Sequence, residues 1–382
     1  MIFFKRIPHF FMFLTIVLLI CGCTNEDTKS KDINYKVLVD KLEEDINIVS
    51  PLYYQTINGA SKVWLWKDKK IVNSSTEDFV YPFFEAFPTE PLKRLEAQLD
   101  IHNSIEEEYG QWFFYDNTEN YEVFIFDSWN NKENNDKEWQ VFFLNDELKQ
   151  ITIEKESIYM ELAGHQVTEN EVYIYSSNKE DIIVYKIDVA TFEMDKYTIP
   201  FSLFNVSDLI MNVGQFFIQD NTFILSTSDF TDSNGKNNNG VFLVYDFNTK
   251  KAETIFIDHG IYKVFPYNDE FIVLSSDENN NTYLKSYDQA FNLIESKKID
   301  IKSEQGSMYV RKNLWQVNDD KLYGTMSIDG LNIDYLVVID INNAEVLYQM
   351  ELINVNHKSQ YALMDAKYYE IENGKLINLR YF

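Results

Sequence analysis

One feature limits what this chain can fold into more than any other: a unit of about 50 residues recurs along its length. The clearest copy runs from Gln219 to Ile257. Asp220-Asn221 precedes the apolar run Phe223-Ile224-Leu225-Ser226-Thr227, and a polar loop follows. Then come Val241-Phe242-Leu243-Val244-Tyr245-Asp246, a turn, and Ala252-Glu253-Thr254-Ile255-Phe256-Ile257. Anchored on the first apolar residue after each acidic or Asn-bearing turn, the copies begin at Val63, Val123, Val172, Phe223, Phe271, Leu322 and Leu376. The intervals are 60, 49, 51, 48, 51 and 54 residues. Four short strands per copy at this period predict an all-β, seven-bladed β-propeller. Six blades is the alternative if the outer strands of the first copy are not real.

The boundaries follow from the turns. Blade one is expected over about 51–100, blade two over 111–154, blade three over 158–200 and blade four to about Ile257. Blade five covers 261–301 and blade six 308–352. Blade one is the least regular, because Pro88 and Pro91 interrupt its outer strands, Val80–Phe87 and Leu92–Leu99, and a short helix over Leu92–Leu99 is the alternative. Tyr35–Val49 reads as half a repeat and Tyr361–Phe382 as the complementary half. Pairing these N- and C-terminal strands is expected to close the ring and hide its sheet edges. Continuously apolar runs such as Val141-Phe142-Phe143-Leu144 suit strands buried on both faces, whereas Val172-Tyr173-Ile174-Tyr175 reads as alternating. With only 12 Gly and 7 Pro, the turns must rely on Asn and Asp. The 25 Tyr and 29 Phe are expected to pack one blade on the next.

Residues 1–22 form a processing segment: Lys5 and Arg6 precede an apolar stretch from Phe10 to Ile20 that is too short for a membrane span of ~20 residues. Ile20-Cys21-Gly22-Cys23 resembles the bacterial lipobox, which implies cleavage before Cys23 and lipidation of its thiol, with palmitate among the acyl chains. Residues 23–33 then form a polar tether and 34–382 a single propeller domain. Cleavage leaves one cysteine and no internal disulfide. The net charge of −27 becomes more negative by two once Lys5 and Arg6 are removed. Such a surface repels phosphates, which argues against nucleic acid as a partner and leaves membrane attraction to the lipid.

The hairpin Val244-Tyr245-Asp246-Phe247-Asn248-Thr249-Lys250 is similar to the strand–Asp–turn element of quinoprotein-like and surface-layer-type propeller repeats. Ile187-Asp188 and Ile339-Asp340 repeat it, each without the Thr-Gly that usually follows the Asp. The resemblance implies a bacterial β-propeller lipoprotein on the extracytoplasmic face of a cell membrane, and it brings no active site with it. Lipoproteins of this shape act as protein scaffolds, so a monomeric binding or scaffold module is the favoured function. A propeller lyase, lactonase or hydrolase with a site at the channel mouth, with or without a calcium ion, is the alternative.

No zinc-ligand spacing, phosphate loop, nucleophile elbow or Ser/Lys dyad occurs, so no catalytic residue is assigned and no cofactor is expected. The loop Asp229–Lys236 fails the EF-hand template, because Phe230 and Val241 fall where carboxylates belong. Loops between second and third strands are long: Ser128–Lys137, Asp229–Gly240, Asp277–Asn281 and Ile328–Asp334. They should emerge on the same side as the segments that link blades, which carry His102, His259 and His357. Loops held by a rigid scaffold are where binding usually resides. The candidate binding face is therefore His102, Asp229, Asp232, His259, Asp277 and His357. Its acidic character predicts a basic partner and binding that weakens with salt.

Overall fold

The computed structural model describes residues 34–42, 50–57, 60–67, 69–75, 79–80, 87–99, 105–109, 112–127, 138–155, 162–178, 180–204, 215–231, 237–277, 279, 281–302, 308–328, 333–353, 362–363, 368–372 and 375–380. Among them lie five four-stranded antiparallel sheets and one five-stranded sheet. Repeats two to five are each a meander in which every strand pairs with its neighbour in sequence. The expected limits hold: repeat two runs Trp112–Asn117, Glu122–Asp127, Glu138–Leu144, Leu148–Glu154. Repeat six runs Met308–Asn318, Lys321–Ile328, Ile333–Asp340, Val346–Ile353.

Local chemistry makes these meanders. Asp220-Asn221 and Asn268-Asp269 both take positive φ at each central residue, from 47° to 63°, the mirror-image turn whose twist matches a hairpin. Asn and Asp tolerate that backbone, so glycine is not needed. The turn between third and fourth strands is built by one carboxylate. Asp188 Oδ1 accepts from Ala190 N at 3.0 Å and Thr191 N at 2.8 Å, and Asp246 Oδ1 from Asn248 N and Thr249 N, both at 2.8 Å. Asp340 accepts likewise from Asn342 N and Asn343 N in repeat six, and Asp288 from Ala290 N and Asn292 N, the second donor one residue further on, in repeat five. Four residues after the Asp, Phe192, Lys250 and Ala344 sit at φ of 57–58°, a left-handed backbone that glycine adopts more readily.

In repeats two to six most of the described residues of the second and third strands are buried, on both faces. Val172, Tyr173, Ile174 and Tyr175 are all buried, so the alternation expected there is not realised. Tyrosine reads as a polar step in sequence, but its ring packs into the core while the Tyr173 hydroxyl donates to Glu171 at 2.5 Å. Facing sheets share their cores: Tyr175 meets Phe216 and Phe223, with centroids 5.0 and 5.8 Å apart, and Phe217 meets Phe271 at 5.2 Å. Phe223, Phe271 and Leu322 pack toward the preceding repeat, whereas Val123 packs toward repeat three. Counted from the first hairpin, Glu122 is the equivalent of Val172. The repeat-two anchor is thus one residue late, and a one-residue slip in a strand changes the face.

Glutamines on first strands join the sheets. The Gln166 amide donates to Ile218 O at 3.0 Å and accepts from Ile218 N at 2.6 Å, standing in for a missing neighbouring peptide. Gln215 Oε1 accepts from Val264 N at 2.9 Å, one repeat later. In repeat six, Gly324 gives Trp315 room to lie against the sheet: a Cβ at 324 would stand 2.1 Å from the indole.

The first repeat and the chain ends depart from expectation. Leu92–Leu99 is not a strand; Thr89–Leu99 is an α-helix with Pro91 in its first turn, where no N–H is required, and Leu92 and Leu95 buried. The first sheet is built from Ser50–Ile57, Ala60–Lys67 and Lys70–Ser75, with Ala362–Leu363 along its free edge. The N-terminal strand Asn34–Asp40 does not join the C-terminal strands. It pairs with Val346–Ile353 and widens repeat six to five strands. That edge offers a ladder to an extended segment, with one register shift at Leu38, whereas the partner expected for it is engaged elsewhere. Tyr368–Glu372 and Lys375–Arg380 form a hairpin of their own.

Candidate functional site

In each meander, the connection between second and third strands leaves at one end of the sheet, together with the link to the next repeat. The two expected long loops in repeats four and six are shorter than the sequence suggests. The ladder continues to Thr231 opposite Asn237, and to Ile328 opposite Ile333. Asp229 therefore lies on the strand Thr222–Thr231. Ser128–Lys137, Cys23, His102, Asp232 and His357 fall outside the described residues.

Two of the candidate residues are brought together. His259 sits in the two-residue link between repeats four and five, and Asp277 at the end of the second strand of repeat five. Tyr283 stands between them: its ring lies 4.8 Å from the His259 ring, and its hydroxyl donates to Asp277 Oδ2 at 3.2 Å. Gly240 lets the link pass close, since a Cβ there would be 2.7 Å from the His259 carbonyl. Asp277 is engaged by its own loop. It accepts from Asn279 N at 2.9 Å and from Asn281 N and Nδ2, each at 2.8 Å. The Asn281 side chain, then these other donors, holds its carboxyl below the usual range.

Sequence reasoning missed what surrounds this pair. Lys285 is 5% exposed and lies two residues along the strand from Tyr283, on the face turned toward repeat four. Burial lowers its pKa, and Asp258 only partly offsets this. Ser275, directly opposite Tyr283, is fully buried and its hydroxyl has no partner; His259 Nδ1 is likewise buried without one. Burial, followed by the Lys285 charge, lowers the His259 pKa, so the ring is neutral at pH 7.

Two other polar pairs are engaged inside the fold. The Asp127 carboxylate takes the Lys155 ammonium and, at 3.1 Å, Trp139 Nε1. His165 Nε2 lies 3.5 Å from Asp116 Oδ2 between the first strands of repeats two and three. Among the described residues no group of three or more His, Cys, Asp or Glu side chains is arranged to hold a metal ion.

No family model matches the chain, and no curated protein matches it. Solved structures similar to it include a prolyl endopeptidase, at 7% identity and a TM-score of 0.43 over 85% of this chain. The chain spans 43% of that protein's length. The β-propeller domain of the trilobed protease from Pyrococcus furiosus aligns over 84% of this chain and 96% of its own, at 11% identity and a TM-score of 0.38. A mutant of AofleA from Arthrobotrys oligospora aligns over 86% and 92%, at 10% identity and a TM-score of 0.41.

Proposed function

We propose that this protein is an extracytoplasmic lipoprotein, anchored through Cys23, that presents a seven-bladed β-propeller as a binding platform for another protein. The observation that carries the reading is the segment Lys5 to Cys23, an apolar leader ending in Ile20-Cys21-Gly22-Cys23, ahead of an all-β unit that begins at Asn34. Among the described residues no helix is long and apolar enough to cross a membrane. Ring closure is supported at the first sheet, which contacts both the C-terminal strand Ala362–Leu363 and the strand added to repeat six. Ala362–Leu363 pairs with Tyr53–Tyr54, and Lys69 donates to Asp40 at 3.0 Å and to the Leu42 carbonyl at 2.6 Å. A seventh blade is supported by the hairpin Tyr368–Arg380, whose second strand lies beside Phe87–Pro88 and Trp112–Asn117. The partner docks at the end of the sheets that carries His259 and Asp277, and its contacting surface is basic.

Labelling cells with a palmitate analogue tests the anchor. Wild type is expected to be labelled and to fractionate with membranes, and Cys23→Ala to lose both. Normal labelling and membrane retention of the variant would reject the assignment.

A further inference from the structure

Lys285 stands out in a chain with 61 acidic and 34 basic residues, because its side chain is nearly buried while its ammonium donates no hydrogen bond and forms no ion pair among the described residues. Lys155, buried to a similar degree in repeat two, has the Asp127 carboxylate against it. A charge drawn mostly out of water without a partner is costly unless something arrives to neutralise it. Around Lys285 the protein leaves other groups unsatisfied. Ser275 Oγ and His259 Nδ1 are buried and unpartnered. Ser275 and Lys285 belong to adjacent cross-strand pairs on one face of repeat five, Ser275 opposite Tyr283 and Val273 opposite Lys285. Their side chains therefore lie within reach of a single small group. His259 joins them from the link, with its ring against Tyr283.

We propose that Lys285, Ser275 and His259 form a subsite for one small oxyanion, a carboxylate or an inorganic anion of similar size, seated between repeats four and five. Lys285 supplies the charge, Ser275 donates its hydroxyl proton, and the neutral His259 ring presents Nδ1 as a donor in the matching tautomer. Asp258 and Asp277 flank the subsite and limit what enters: their charges repel a polyanion but leave room for a single group whose charge Lys285 cancels. The inference is independent of lipid anchoring and of blade number.

The test is thermal unfolding of the full chain purified in detergent, titrated with acetate, inorganic phosphate or sulfate at constant ionic strength maintained with chloride. At least one of the three is expected to raise Tm saturably, as a ligand that binds only the native state must. Lys285→Met should fold, melt at the wild-type temperature or above it in chloride, and lose the saturable rise. Ser275→Ala guards against a misfolded Lys285 variant: it keeps the strand and should weaken the apparent affinity roughly tenfold, the effect of losing a hydrogen bond to a charged group. Absence of a saturable rise with all three anions would overturn the proposal. So would a rise of equal size and midpoint in either variant.

Discussion

At the scale of single residues, the fold depends on a few close approaches. Gly324 lies against the Trp315 indole so tightly that a methyl group there must displace the ring. Trp315 is 1% exposed and packed into the core shared by repeats five and six. Gly324→Ala is therefore expected to lower stability by about 1–3 kcal/mol, the usual cost of overpacking. Its urea midpoint should fall with an unchanged slope. A midpoint equal to wild type would mean that the indole can move without cost. Neither this glycine nor Lys285 was legible in the sequence. In Tyr283-Leu284-Lys285-Ser286-Tyr287 a lysine between alternating residues reads as facing solvent. Only the packing of repeat four over that face turns it inward. His259 and Asp277 were legible because a link and a turn place them at the sheet's end, whatever covers the strands.

At the scale of the element, the recurring device is the turn organised by Asp188, Asp246, Asp288 and Asp340. Bonds to Thr191 and Thr249 N–H, respectively, lead the causes that lower the pKa of Asp188 and Asp246; the Asn292 side chain does so for Asp288. A carboxyl whose pKa is depressed on folding stabilises the native state above its unfolded value of about 3.9 and loses that contribution as pH falls through the folded value. Stability should thus decline from about pH 4 downward. Asp246→Asn retains an acceptor for both backbone bonds without titrating, so its urea midpoint should fall less steeply between pH 5 and about 3. An identical pH profile for variant and wild type would show that the turn carboxylate does not contribute to acid sensitivity. These turns were readable from sequence because every partner lies within four residues of the Asp.

At the scale of the whole molecule, the interior repeats were legible and the ends were not. Repeats two to six follow the local rule of turn, apolar run and turn, with each strand pairing with its sequence neighbour. Pairing at the ends is decided by which edge is free in space, and a sequence pattern does not carry that information. Asn34–Asp40 and Ala362–Leu363 each found an edge other than the one expected. Removal of residues 362–382 takes away the strand along Ser50–Ile57 and the neighbouring hairpin. At about 0.5–1.5 kcal/mol per lost backbone hydrogen bond, the loss should reach a few kcal/mol and appear as a lower melting temperature. A truncated chain that melts with the full-length protein would sink the closed-ring reading.

The added strand of repeat six has a mechanical consequence. Asn34 is paired with Ile353 and Asp40 with Tyr348, and Lys41 is tied to Glu345 beyond them. Tension applied to the residues before Asn34, along the strand axis, drags this strand lengthwise past its neighbour. The hydrogen bonds of the ladder then share the load, instead of opening in turn as they would if the strand were peeled sideways. A protein held at its N-terminus through such a joint yields by sliding, and its resistance to force is set by the rate at which the whole ladder ruptures together.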